Sequence, residues 1–361
     1  MGELSAFVVG WAAGWWLLWR LPVPPGAPAA GLRPAMSVII PARDEQRSLP
    51  SALASLVGQL RPEDELIVVD DHSSDDTATT ARARGATVVA ASDPPAGWLG
   101  KTWACHLGAT VAGNELLVFL DADIRAEPGA LDRLAAGQRA SGGLYSVQPW
   151  HEVPRLHERL AALFNVVALM GTGAFTPLGA RSRSVGAFGP CLVTTAGDYR
   201  RAGGHASVRA EVLDDLALAE RYRRGGLPVV LAGGRGTIRF RMYPDGIRQV
   251  VEGFSKNFGA AAASVRPLTG LLVTAWITAL STPFALLAGR PALAGLCYVA
   301  VVAQLAVHLR RIGGFGAATA AAYGLALGLF LAVFVRSLWL TFVRGEVRWK
   351  GRTVPTRRRE A

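Results

Sequence analysis

Lysine is nearly absent from this 361-residue chain: it occurs only at Lys101, Lys256 and Lys350, and the rest of the 38 basic residues are arginine. A chain that uses arginine almost everywhere is expected to keep lysine where a compact ammonium is wanted, because the two cations differ in geometry and hydration; chance is the alternative. Charge is scarce as well, at 18% of residues against 51% hydrophobic, with a mean hydropathy of +0.28. That is too apolar for an ordinary soluble protein, and the length has room for one sizeable α/β domain plus membrane spans. The three cysteines, Cys105, Cys191 and Cys297, lack any paired spacing. They argue against a disulfide framework or a zinc site and fit a reducing compartment. No internal repeat and no nucleic-acid motif accompany the net charge of +11. The charge is therefore assigned to a membrane surface, and no nucleic acid is expected as a partner. Positive charge is also missing ahead of the first apolar segment, Leu4 to Trp19, where a cleaved signal peptide would carry it. Trp11, Trp15, Trp16 and Trp19 instead suit an uncleaved, interface-anchored helix with Arg20 and Arg33 on its cytoplasmic side.

What is present centres on Leu116-Leu117-Val118-Phe119-Leu120-Asp121-Ala122-Asp123. Five apolar residues of this kind suit a strand buried on both faces of a parallel sheet. The two carboxylates stand where the strand leaves the sheet, the edge at which open α/β sheets bind ligands. Such a pair suits a hard divalent cation that also holds a diphosphate, with an ordinary strand-to-loop turn as the alternative.

The rest of the chain repeats this grammar. Strands are expected at Ser37–Pro41, Glu65–Asp71 and Thr87–Ala91, and helices at Leu49–Leu60, Ser74–Arg84 (N-capped by Ser73 or Ser74) and Lys101–Ala112. This alternation indicates a parallel sheet with crossover helices. Beyond Asp123 the pattern weakens. Leu156 to Met170 suits a buried or membrane-grazing helix, Asp214 to Arg224 a helix with two acids in its first turn, and Asp245 to Ser264 an amphipathic helix carrying Lys256 between Phe254 and Phe258. From Leu268 the chain is membrane-like in three runs, Leu268–Ala288, Pro291–Val307 and Phe315–Val343. The expected organisation is an N-terminal anchor at 1–21, a linker at 22–35, a catalytic domain at 36–244, an interfacial helix at 245–266, transmembrane or re-entrant helices at 267–343, and a basic cytosolic tail at 344–361.

Five segments occur in an order that resembles the family 2 inverting glycosyltransferases of GT-A fold: Pro41-Ala42-Arg43-Asp44-Glu45; Val69-Asp70-Asp71-His72-Ser73; Gly97-Trp98-Leu99-Gly100-Lys101; Asp121-Ala122-Asp123; and Leu213-Asp214-Asp215-Leu216. The likeness spans roughly residues 36–260. Gly203-Gly204-His205, Arg241-Met242-Tyr243-Pro244, Gly253 to Phe258 and the Trp349-Lys350-Gly351-Arg352 tail are similar to the bacterial carotenoid-type (diaponeurosporenoate) and hopanoid-associated branch. The Gln-X-X-Arg-Trp motif of the processive members is missing, which favours single sugar transfer.

The resemblance implies an α/β, Rossmann-like, mostly parallel sheet and a set of site roles. Asp123 would bind Mg2+ or Mn2+, with Asp121 on the metal or the ribose. Lys101 would meet the diphosphate, and Lys256 the diphosphate or lipid headgroups. Asp71, and less directly Asp70, would hold the uracil or ribose. Pro41, Ala42, Glu45 and Ala122 would line the nucleotide-sugar pocket. Asp215, preceded by Asp214, matches the general base of an inverting transfer, where a first-turn acid pair otherwise serves the helix dipole. His106 and His205 are expected to be structural imidazoles.

The implied protein is a multi-pass enzyme of the cell (inner) membrane with its catalytic domain in the cytoplasm. It would move one sugar, UDP-linked, onto the hydroxyl or carboxylate of a lipid. Transfer to a polyprenyl phosphate is the enzymatic alternative, and a non-catalytic membrane module that binds nucleotide-sugars the other. The positive-inside rule would be broken by a third full span over Phe315–Val343, so the later part of that run, past Gly324 and Gly328, is expected to turn back or lie in the interface and leave the tail cytosolic.

Overall fold

The apolar runs that precede the acidic pairs are strands of one seven-stranded sheet in the computed structural model, which describes residues 2–26, 33–179, 182, 184–340, 346–349 and 352–355. Met36–Ala42 (β1), Glu65–Asp70 (β2), Thr87–Ala90 (β3) and Leu116–Leu120 (β4) form its parallel part. β1 is central, with Val38 in register with both Leu66 of β2 and Val118 of β4. Every residue of β4 is buried, as a strand covered on both faces requires. Three further strands, Leu144–Gln148 (β5), Cys191–Thr195 (β6) and Val229–Gly233 (β7), complete the order β3-β2-β1-β4-β6-β5-β7. β6 runs antiparallel to both neighbours, so the sheet is mixed and mostly parallel.

The chain divides into two compact units. Pro22–Trp150 and Gly186–Phe240 make the α/β unit that carries the sheet. Met1–Leu21, His151–Val185 and Arg241–Ala361 make a helical unit.

Within the α/β unit, the helix expected from Ser74 begins only at Thr77, with Asp76 as its N-cap residue. The preceding polar side chains are used across the loops instead. Ser73 Oγ accepts from the Asp44 N–H at 3.0 Å, the Ser74 N–H donates to Asp44 Oδ1 at 2.8 Å, and Asp75 Oδ2 accepts from the Gln46 N–H at 3.1 Å. Asp44 and His72 both hold positive φ, 54° and 57°, in the two loops so latched. The helices Gly100–Val111 and Asp214–Arg224 match the expected ones within a residue at each end.

In the helical unit, Pro267–Leu286 (20 residues) and Pro291–Ile312 (22 residues) are long and apolar enough to cross a membrane. The first helix, Gly2–Leu17, has 16 residues and packs on Pro267–Leu286. Its Gly10 and Gly14 lie at the crossing: a Cβ on Gly10 would overlap the Ala275 carbonyl oxygen, and one on Gly14 the Trp276 ring. Gln304 ties the bundle together by donating to the Trp11 carbonyl at 2.7 Å and accepting from Trp276 Nε1 at 2.9 Å. The expected Leu156–Met170 helix is two, Leu156–Arg159 and Ala162–Gly171.

The run from Phe315 breaks at Ala322, between the helices Gly316–Ala321 and Tyr323–Trp339. Gly324 and Gly328 both lie inside the second helix, which continues past them to Trp339. Gly324 serves packing: a Cβ there would stand 2.8 Å from the Phe284 ring. Ile247–Ser264 lies against Tyr323–Trp339 and packs Phe254, which is buried, and Phe258 on Phe164, with ring centroids 4.2 and 5.4 Å away. The Lys256 side chain falls outside the described residues. So do Lys350 and Gly351, which join the antiparallel strands Glu346–Trp349 and Arg352–Pro355.

Candidate active site

Strand ends and helix starts of the α/β unit converge on one pocket. It is lined by Pro41 from β1, Lys101 and Cys105 from the helix Gly100–Val111, Asp121 beyond β4, Gly189, His205 and Asp214. The sequence had assigned Pro41, Lys101, Asp121 and Asp214 to the site; Gly189 it had not, and His205 it had read as structural.

Lys101 Nζ donates to Asp121 Oδ1 at 2.7 Å. Burial alone would lower the ammonium, but the Asp121 and Asp214 carboxylates outweigh it and hold it above an ordinary lysine. The site thus carries a permanent positive charge at its centre. Cys105, on the same helix face, is buried, and its thiol is pushed up by that burial, so it packs as a neutral group.

Asp123 is the acid that burial disturbs most. Desolvation, then the neighbouring Asp121 and Glu45 charges, push its carboxyl up to about 7. Lys101 opposes that push only in part, and carboxylates gathered in this way are a set of hard oxygens that fits Mg2+ or Mn2+. Among the described residues no cluster of three or more protein ligands closes around an ion. Asp121 and Asp123 would therefore share the cation with substrate oxygens. Ala122 between them is buried.

Asp215 opens the helix Asp214–Arg224, where its carboxylate accepts from the Gly189 N–H and the Leu216 N–H, each at 2.9 Å. Burial, and then the Asp214 charge, push its carboxyl up to about 6, against the opposing pull of Lys101 and the two N–H groups. A carboxylate with that poise takes protons near neutral pH. Asp214, one residue earlier, lines the pocket itself.

On the far side of Lys101, Asp71 is 7% exposed and lies against Gly100, where any Cβ would overlap its Oδ2. Arg43 Nη1 stands 3.5 Å from that oxygen, and His72 Nδ1 3.3 Å from Oδ1. Asp71 N–H donates to the Ala42 carbonyl at 2.8 Å, which fixes the loop after β2 to the end of β1. Asp70, in contrast, accepts from the Ser73 N–H at 3.2 Å and caps its own turn. Glu45 accepts from the Ser48 hydroxyl, just ahead of the helix Leu49–Val57, and its charge also reaches Asp123. The nucleotide-sugar role expected of Lys256 lies outside the described side chains.

Several contributors were not legible in the sequence. The Arg209 carbonyl accepts from the Leu99 N–H at 2.9 Å and from Thr102 Oγ1 at 2.8 Å, clasping the start of the Lys101 helix. Gly189 and Tyr199 act through backbone and hydroxyl contacts with residues 26 and 6 positions away. No local pattern announces them.

Comparison with known proteins agrees with this geometry. The profile of the family described as "Glycosyl transferase family 2" matches residues 37–152. The chain is 32% identical over 330 residues to a 4,4'-diaponeurosporenoate glycosyltransferase of Staphylococcus haemolyticus, covering 88% of each chain. It is 33% identical over 331 residues to the protein of that name in Staphylococcus aureus (strain USA300), again covering 88% of each. Among solved structures it is similar in fold to a mannosyltransferase of Pyrobaculum calidifontis in complex with GDP-Man and Mn2+, with TM-score 0.55 and 19% identity over 94% of this chain and 96% of that one.

Proposed function

Since the chain belongs to glycosyl transferase family 2, we propose that it transfers a single sugar from a nucleotide-sugar, UDP-linked, to a lipid acceptor with inversion, and that the acceptor is a carotenoid acid of the kind named in its Staphylococcus relatives. The observation that carries this reading is the Lys101–Asp121 pair, set in one pocket with Asp214 and beside Asp215.

Transfer breaks the bond between the anomeric carbon and the diphosphate and leaves negative charge on the departing oxygen. Fixed positive charge at that point lowers the barrier, which is the role of Lys101. Asp121 and Asp123 would hold Mg2+ or Mn2+, which would supply further Lewis-acid charge to the diphosphate. Asp71 takes the uracil or ribose, a reading supported by its position between Gly100 and Arg43. Asp215 accepts the proton of an attacking hydroxyl or water. The apolar helices Pro267–Leu286 and Pro291–Ile312 support membrane attachment, which an acceptor dissolved in lipid requires, with the α/β unit in the cytoplasm beside the nucleotide-sugar supply. A non-catalytic module would have no use for a carboxylate poised at about 6 next to a fixed ammonium.

The test is transfer by the full-length protein in detergent, screened over UDP- and GDP-linked hexoses with a carotenoid acid and a total lipid extract. Formation of a carotenoid glycosyl ester is expected. A protein that neither transfers nor hydrolyses any of these donors would refute the reading.

A further inference from the structure

His205 is 1% exposed, yet it lines the pocket with Lys101, Asp121, Gly189 and Asp214. A buried histidine is ordinarily a packing group, but this one is held in place by a hydroxyl that meets both its ring and its backbone. Tyr199 Oη accepts from the His205 backbone N–H at 3.0 Å. The same hydroxyl lies 2.8 Å from His205 Nδ1, so its own hydrogen is available to that nitrogen. Nδ1 is then an acceptor and the ring proton sits on Nε2. Phe119 of β4 meets the imidazole edge-on at 5.1 Å and stacks on Tyr199 at 5.5 Å, linking both rings to the strand that ends in Asp121. Gly204, at φ +50°, completes the clamp, because a Cβ there would run into the Tyr199 ring.

Burial, and then the Lys101 charge, push the imidazole down to about 3, so it is uncharged wherever the protein works. No described residue bonds Nε2. An uncharged N–H donor beside an ammonium and two carboxylates has little to add for a diphosphate, which Lys101 already meets. It suits an uncharged oxygen, and with Asp71 assigned to the uracil or ribose, the uncharged oxygens of a nucleotide-sugar left for His205 are those of the sugar.

We propose that His205 offers its Nε2–H to a hydroxyl of the donor's sugar and so is a specificity-determining residue of the site. This rests on the nucleotide-sugar reading above and deepens it. Tyr199 is the positioning residue that keeps the proton on Nε2.

The full-length protein in detergent, titrated by calorimetry with UDP-glucose and with UDP (and likewise with GDP-mannose and GDP), tests it. His205→Leu should weaken nucleotide-sugar binding about tenfold, the scale of one hydrogen bond between uncharged groups, and leave the free diphosphate within about twofold. His205→Gln, whose amide N–H can reach the place of Nε2, should restore most of the loss. Tyr199→Phe keeps the ring and frees the tautomer, so it should show a smaller loss that is again confined to the sugar-bearing ligand. Equal weakening of sugar-bearing and sugar-free ligands would make His205 a packing residue and overturn the proposal. Should His205→Leu fail to fold, wild-type affinities in Tyr199→Phe overturn it alone. A parent protein that binds none of the nucleotide-sugars would instead overturn the reading on which the proposal rests.

Discussion

Lys101 Nζ and Asp121 Oδ1 stand 2.7 Å apart at the centre of the pocket, with side chains 43% and 29% exposed. A pair so open to water contributes little to stability. Its value lies in the ligand it awaits: the ammonium is fixed in place before a diphosphate arrives, with Asp214 close enough to hold it charged.

Lys101→Ala should therefore unfold at a temperature close to that of the parent while losing transfer activity by roughly two or more orders of magnitude, the scale of a lost electrostatic contact to the transition state. Thermal melts and initial rates on the same samples check both halves. A large drop in melting temperature with activity intact would reverse the assignment.

Metal dependence carries its own pH signature. EDTA should abolish activity and Mg2+ or Mn2+ restore it, and Asp123→Ala should not be restored. Because Asp123 sits at about 7, protons compete with the cation below that value. Half-saturating metal concentration should rise as pH falls from about 8 to about 6. A flat profile across that range would remove Asp123 from the ligand set.

Asp215→Asn should lower hydrolysis of the donor by water by roughly 10²–10⁴-fold while donor affinity stays within a few-fold. The wild-type rate should fall as pH drops through about 6, where the carboxylate gains a proton and can no longer accept one. An acceptor that attacks through an ionised carboxylate needs no proton removed. The Asn variant should accordingly lose much less activity with a carotenoid acid than with water or a hydroxyl acceptor. Asp214→Asn, scored beside it, separates the pocket-lining acid from the base.

Gly100→Ala places a methyl group against Asp71 Oδ2. Nucleotide affinity should fall with only a modest cost in stability, about 1–3 kcal/mol for an overpacked site. Calorimetry with UDP alone reads the effect, and unchanged affinity would mean that Asp71 does not touch the nucleotide.

The sheet was readable where sequence and burial coincide. β2 and β4 are apolar runs that lead into acids, and β1 is an apolar run interrupted only by Ser37. Helix Asp214–Arg224 was readable from its acidic start and its paired glycine end. β5, β6 and β7 were not, because Leu144–Gln148 and Cys191–Thr195 mix polar residues into five-residue strands without clean alternation, and an antiparallel insertion breaks the expected parallel rhythm. The start of the Thr77 helix was misplaced because Ser73 and Ser74, good caps by type, bond the neighbouring loop. In the site, charged groups were visible in the sequence, while the partners that tune them were not. The Gly189 N–H on Asp215 and the Tyr199 hydroxyl on His205 exist only once distant backbone has been brought together.

The glycines at positions 10 and 14 have a consequence for biosynthesis. The docking surface of the helix Gly2–Leu17, Ala275 and Trp276, is synthesised more than 250 residues after the glycines that meet it. Until then its small-residue face has nothing to close on, and the Gln304 amide that locks the Trp11 carbonyl is later still. The α/β unit, which ends at Phe240, can be complete while the helical unit still waits for its later helices. Final closure of the helical unit is thus a late, long-range step, and a side chain bulkier than hydrogen at position 10 or 14 would be felt in the yield of finished protein more than in the chemistry of the site.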